Sequence, residues 1–125
     1  NNAHPEHLIH NCLSGHLLRS KSEVIIANAL YTNKIPFRYE CALCLENIIF
    51  FPDFTICHPK TMSIFYWEHF GMMDSQSYAD NAYNKLKIYS SQGIIPCINL
   101  ISTFETKANP INSEKVNQII HEYFL

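Results

Sequence analysis

From Ser20 onward the chain alternates between stretches with apolar residues at helical spacing and stretches with apolar runs or two-residue alternation. Ser20-Lys21-Ser22-Glu23 opens the first helix. A serine followed three residues later by glutamate is a capping box, in which each side chain satisfies an amide near the helix start. Val24, Ile26, Ala27, Leu30 and Tyr31 supply the apolar stripe, and Asn33 and Pro36 stop the helix. Phe37 to Leu45 reads as a strand and Asn47 as a turn. Ile48 to His58 reads as a second strand, apolar on both faces and therefore expected inside the sheet. His58-Pro59-Lys60-Thr61 turns the chain into a third strand, Ser63 to His69, completing an antiparallel meander. Ser75 to Gln92 is a second helix with Ala79, Ala82, Leu86 and Tyr89 on one side. Gly93 follows as the left-handed residue that ends it. Ile94 to Thr103 is a fourth strand, its start placed at an edge by Pro96. Asn109-Pro110 breaks the chain, and Asn112 caps a last helix to Phe124 with Val116, Ile119, Ile120 and Tyr123 inward. The order α-β-β-β-α-β-α describes an α/β domain over residues 20–125, a mixed sheet flanked by helices. Residues 1–19, polar and histidine-rich, read as an N-terminal extension or linker, or as a short helix packed on the domain.

Composition narrows the function. At 125 residues, 47% hydrophobic and 16% charged, the chain suits one domain with a core. Nine Lys/Arg against eleven Asp/Glu leave a net charge of −2. Bulk attraction to a nucleic acid is absent, so any such contact must be local. Gly15, Gly71 and Gly93 are too far apart to write a dinucleotide fingerprint or a phosphate loop. No apolar run approaches the roughly 20 residues of a bilayer span, and no leader pattern opens the sequence, so a cytoplasmic protein is expected. Five cysteines at irregular spacing suggest a reducing compartment and free, mostly buried thiols. Cys41 and Cys44 invite a zinc reading with Cys57 and His58, but a strand would point them to opposite faces. His4, His7, His10 and His16 would share a metal only if their segment were helical.

The chemistry concentrates in the meander. Asp53 follows Pro52 within the most apolar stretch, where a carboxylate is costly unless it is paired or metal-bound. Glu68 stands among aromatics in Tyr66-Trp67-Glu68-His69. A hairpin centred on Lys60-Thr61 sets Asp53 directly opposite Glu68, with Cβ atoms about 4.5–5.5 Å apart. Like charges so placed raise each other's pKa or recruit a cation, and Mg²⁺ or Mn²⁺ suits such oxygens. A slip of one residue would send one acid to the other face.

This order of elements, with Glu23 on the first helix, Pro52-Asp53 on the second strand and Glu68 near the end of the third, resembles the PD-(D/E)XK nuclease superfamily. The superfamily is also called restriction-endonuclease-like. Pro52-Asp53-Phe54 with Trp67-Glu68-His69-Phe70-Gly71 also looks like its very-short-patch-repair and related small endonucleases. The resemblance spans about residues 20–104. It implies an αβββαβ core that hydrolyses DNA phosphodiester bonds. Asp53 and Glu68 would be the metal ligands, the His69 carbonyl a further ligand, and Glu23 the helix acid, although the capping box alone accounts for Glu23. The superfamily's lysine, two residues after the third-strand acid, is here Phe70. Lys85, in one stripe with Asn81 and Tyr89, and the His69 imidazole are the two candidates to replace it. Should neither serve, the domain is a catalytically inactive nuclease-fold module for nucleic-acid or protein interaction. The few lysines imply weak grip on DNA alone, with a larger parent chain, a homo-oligomer or a partner supplying the rest.

Overall fold

Side-chain caps start all three helices in the computed structural model, which describes residues 10–125. Ser20 accepts from the Glu23 amide at 3.2 Å before α1 (Lys21–Thr32). Ser75 accepts from Tyr78 at 3.4 Å before α2 (Gln76–Ser91). Asn112 accepts from Lys115 at 2.9 Å before α3 (Ser113–Phe124). Each oxygen satisfies an amide that has no partner inside its helix. Gly93, at φ 82°, follows α2 in the left-handed conformation that glycine adopts without a Cβ clash.

The strands are β1 (His10–Asn11), β2 (Leu17–Leu18), β3 (Phe37–Tyr39), β4 (Leu43–Leu45), β5 (Ile48–Phe50), β6 (Phe54–Cys57), β7 (Ile64–Phe70) and β8 (Leu100–Phe104). Four of them form a sheet in the order β3-β6-β7-β8. β3, β6 and β7 pair antiparallel, and β8 joins β7 in parallel. The parallel pair follows from its connection, since α2 carries the chain back across the sheet before β8 begins. The protein is thus a mixed α/β fold with a mixed sheet. Among the described residues, no helix is long and apolar enough to cross a membrane.

Alternation along the strands divides the core. Phe54, Ile56, Trp67 and Ile101 face Ile26, Ala27 and Leu30 of α1 and Val116, Ile120 and Phe124 of α3. Their neighbours Tyr66 and Leu100 face the other way, against Tyr89 and Leu86 of α2. The site lies at the end of this sheet where β6 begins and β7 finishes.

The long first and second strands expected from the sequence each break in two. Glu40 leaves β3 at φ 51°. Glu46 and Asn47, at φ 51° and 63°, make the tight turn of a β4–β5 hairpin, as two-residue hairpins require. That hairpin leaves the main sheet and lays Leu43, Leu45 and Phe50 against the α2 cluster. The second break falls at Phe51-Pro52-Asp53, where proline offers no amide to a ladder. Asp53 therefore stands at the entrance to β6 rather than inside a strand. The fourth strand is shorter than expected because Ile95 and Asn99 close a turn ahead of it, with Cys97 at φ 71°. Pro96 keeps only a single bridge to Leu100.

The segment 10–19 is neither helix nor spacer: β1 and β2 form a hairpin that buries Leu18 completely. His10 lies in β1, and His16 leans on the Phe37 ring at 5.3 Å. His4 and His7 lie outside the described residues. Tyr31, expected inward, is 52% exposed. All five cysteines are free, as expected, but none is fully buried; Cys44 and Cys97 are exposed.

Ile120 is fully buried between α1 and the sheet, distant in sequence from the acids. Ile120→Ala should lower the urea-unfolding free energy by about 2–5 kcal/mol, from lost burial plus the cavity left behind.

Candidate active site

The β6–β7 pairing runs Phe54 to Trp67, Thr55 to Tyr66, Ile56 to Phe65 and Cys57 to Ile64. This is the register expected from a turn at Lys60-Thr61, and one step further along it sets Asp53 beside Glu68. The link is physical. Asp53 Oδ2 accepts from the His69 amide at 2.7 Å, and Glu68 Oε1 takes a long bond of 3.4 Å from the Asp53 amide. Each acid is held by the other's strand. Glu68 is 2% exposed, whereas Asp53 keeps partial contact with solvent.

α2 supplies the balancing donors. Lys85 Nζ lies 2.7 Å from Glu68 Oε2, and the Tyr89 hydroxyl donates to the same oxygen at 2.5 Å. Residues four apart share a helix face, so one stripe delivers both groups. The stripe is amphipathic: the Tyr89 ring packs in the core while its hydroxyl reaches the acid, and the 30% exposed lysine bridges from acid to solvent. Lys87, on another side of α2, lies over the Tyr83 ring instead.

Glu23 arrives from α1. Its carboxylate accepts from the Tyr39 hydroxyl at 2.7 Å and from the Arg19 amide at 3.2 Å, and also reaches the Asp53 carboxyl. The capping box is therefore only half made. Ser20 accepts from Glu23, but the glutamate, 7% exposed, turns away from the Ser20 amide and towards the other acids. Arg19 closes this side through a 2.6 Å ion pair with Glu40.

Three acids and one lysine make an electrostatically tense group. Asp53 is pushed well above the usual carboxylate range, first by burial and then by the charges of Glu68 and Glu23, with Lys85 pulling the other way. Burial also raises Glu23, against the opposing pull of its bond from Tyr39. Tyr89 and Tyr39 rise for the same two reasons, burial and an adjacent carboxylate, and stay protonated as donors.

The His69 imidazole does not join this group. Alternation turns it to the Trp67 side of β7. There its Nδ1 lies 2.8 Å from Thr103 Oγ1 and its Nε2 lies 2.6 Å from Glu105 Oε1. Trp67 donates to the same Thr103 oxygen at 3.1 Å, and Ser22 donates to Glu105. What His69 contributes to the site is its backbone amide. Glu105, just past the end of β8, is thereby tied to α1 and β7. Burial favours its neutral form, but the bonds from Ser22 and His69 outweigh that and hold it below its ordinary value.

Some participants carry no sequence signal of their own. Tyr39 and Glu105 meet their partners only through tertiary structure. Ser102 pairs with Glu68 across β7 and β8, and its Oγ is buried without a hydrogen bond among the described residues. Tyr89 was legible, one turn beyond Lys85 on the stripe. Among the described residues, no three His, Cys, Asp or Glu side chains converge as a ready-made metal shell, and Cys41, Cys44 and Cys57 form none. Comparison with protein-family models, curated proteins and solved structures finds no match to the chain.

The raised Asp53 value fixes a pH dependence. Between the unfolded-chain value and the higher folded one, the folded state keeps the extra proton, so stability falls as pH rises through that window. Asparagine has no such loss. Asp53→Asn should melt several degrees above the parent chain at neutral pH, and the gain should vanish below the unfolded value of about 3.9. Calorimetric melting across pH checks the trend, which a uniform offset would contradict.

Proposed function

We propose that this chain carries a restriction-endonuclease-like core and hydrolyses DNA phosphodiester bonds with the help of Mg²⁺ or Mn²⁺. The observation that carries the proposal is the convergence of Glu23, Asp53, Glu68 and Lys85 from α1, the entrance of β6, the end of β7 and α2. The order within the main sheet supports it, once the β4–β5 hairpin inserted between β3 and β6 is set aside: α1, the antiparallel β3, β6 and β7, then α2, and β8 parallel to β7. Lys85 supplies the ammonium that Phe70 cannot.

Asp53 and Glu68 are of the chemical kind that a hard divalent cation takes, two neighbouring carboxylates rather than a closed shell of three. Mg²⁺ prefers one or two carboxylates and keeps several waters. The Asp53 amide donates to Glu68, Asp53 keeps partial contact with solvent, and Ser102, whose Oγ has no hydrogen-bond partner among the described residues, is the strand partner of Glu68. The ion, when bound, supplies positive charge to the phosphate and lowers the pKa of water. Asp53 must give up its proton to act as a ligand, so the site couples cation binding to deprotonation.

The chain's own groups then have distinct roles. Asp53 and Glu68 would hold the cation. The His69 amide and the Tyr89 hydroxyl lock the two carboxylates in orientation. Lys85, ion-paired with Glu68 and partly exposed, would offer its ammonium to a phosphate oxygen or to the attacking water. Glu23 takes or shares a proton at the Asp53 carboxyl. In the reaction, water gives up a proton to solvent as its oxygen bonds to phosphorus, the bond from phosphorus to the leaving oxygen breaks, and that oxygen takes a proton from solvent. The products are a phosphate monoester and a hydroxyl.

Titration calorimetry should show Mg²⁺ or Mn²⁺ binding that tightens as pH rises and releases protons, and that is lost in Asp53→Ala and Glu68→Ala. A supercoiled plasmid with Mn²⁺ should be nicked. Lys85→Met should slow nicking by about 10²–10³, the usual cost of removing one group that stabilises transition-state charge. An intact plasmid at every Mn²⁺ concentration would leave the fold as a non-catalytic interaction module.

A further inference from the structure

Beside Lys85 lies a cavity of about 240 Å³ lined by Phe70, Tyr78, Asn81, Ala82 and Lys85. We infer that it receives a single unstacked nucleobase, so that the substrate is single-stranded or locally unpaired DNA rather than intact duplex. The inference rests on the nuclease reading and specifies its substrate.

Four observations carry it. First, the walls are of the right kind. Phe70, itself 4% exposed, is backed by Phe104, which lies outside the cavity lining, with ring centres 5.3 Å apart and planes 16° apart. Tyr78 is held in place by the Gly71 amide, which donates to its hydroxyl at 3.1 Å. Aromatic walls hold bases of any sequence, because every base has a π-face. Second, the cavity has one polar reader: Asn81 is exposed and carries an amide able to donate and accept along a base edge. Third, the cavity shares Lys85 with the acid cluster, so a base seated there would bring its backbone towards the lysine that ion-pairs with Glu68. Fourth, the charge balance disfavours the usual alternative. A chain with net charge −2 lacks the lysines and arginines that track a duplex backbone. Stacking at about 1–3 kcal/mol per base offers affinity that needs no basic surface. Phe70 thus has a use of its own: the position that lacks the superfamily's lysine forms the wall of a base pocket.

The test uses three oligonucleotides of one sequence: single-stranded, duplex with one unpaired base, and fully paired duplex. The wild-type chain with Mn²⁺ should cut the first two at least about tenfold faster than the third. Asn81→Ala, at an exposed position, should reduce that preference. Ala82→Leu, which fills the cavity, should abolish that preference, with an unchanged melting temperature showing that α2 has kept its place. In parallel, 5-iodouracil in the single strand should photocrosslink to Phe70 or Tyr78, a readout independent of cleavage. Equal cutting of all three substrates, or a preference unchanged in both variants, overturns the base pocket and leaves the nuclease standing. Crosslinking at Phe70 or Tyr78 without cleavage of any substrate supports the pocket and overturns the nuclease. Neither cleavage nor crosslinking overturns both.

Discussion

Holding Asp53 and Glu68 side by side is the constraint around which the rest of the site is arranged. Two carboxylates in a partly dehydrated corner repel each other, and a third, Glu23, adds to the strain. The fold offsets that with fixed donors: the His69 amide on Asp53, the Tyr89 hydroxyl and Lys85 ammonium on Glu68, and the Tyr39 hydroxyl on Glu23. These donors come from β7, α2 and β3, so the acids can assemble only once the layers on both faces of the sheet have docked. A cluster that costs stability is a poor device for holding a protein together, and on the proposed function it would serve to capture a divalent ion.

Much of this was legible because it depends on local rules. The register of a tight hairpin follows from the centre of its turn, and Lys60-Thr61 fixed the pairing that brings Asp53 to Glu68. Helical spacing put Lys85 and Tyr89 on one stripe, so the choice of Lys85 over Lys87 needed only the angle between successive residues. The caps at Ser20, Ser75 and Asn112 and the stop at Gly93 were readable one residue at a time.

What the sequence hid depends on the chain leaving its local rule. The apolar run from Ile48 looked like one strand because Ile and Phe satisfy either a sheet or a hairpin packed on a helix. Pro52 and the positive φ at Glu46 and Asn47 decide between them. The same alternation that placed Trp67 in the core also turns the His69 ring away from Glu68, so His69 as acid or base conflicts with its own neighbour. Glu105 appears solvated until Ser22 and His69, distant in sequence, are brought to it. That bond set ties the start of α1 to β7 and β8, and so couples the position of Glu23 to that of the His69 amide that holds Asp53.

On the proposed function, Asp53 is a strained acid that a divalent cation would relieve. Carbon-detected NMR of the Asp53 side-chain carboxyl across pH, with and without Mg²⁺, tests this directly. Without the ion, the carboxyl should titrate well above the ordinary carboxylate range, and Mg²⁺ should move that titration to lower pH. An Asp53 that titrates at its ordinary value and ignores Mg²⁺ would contradict the account.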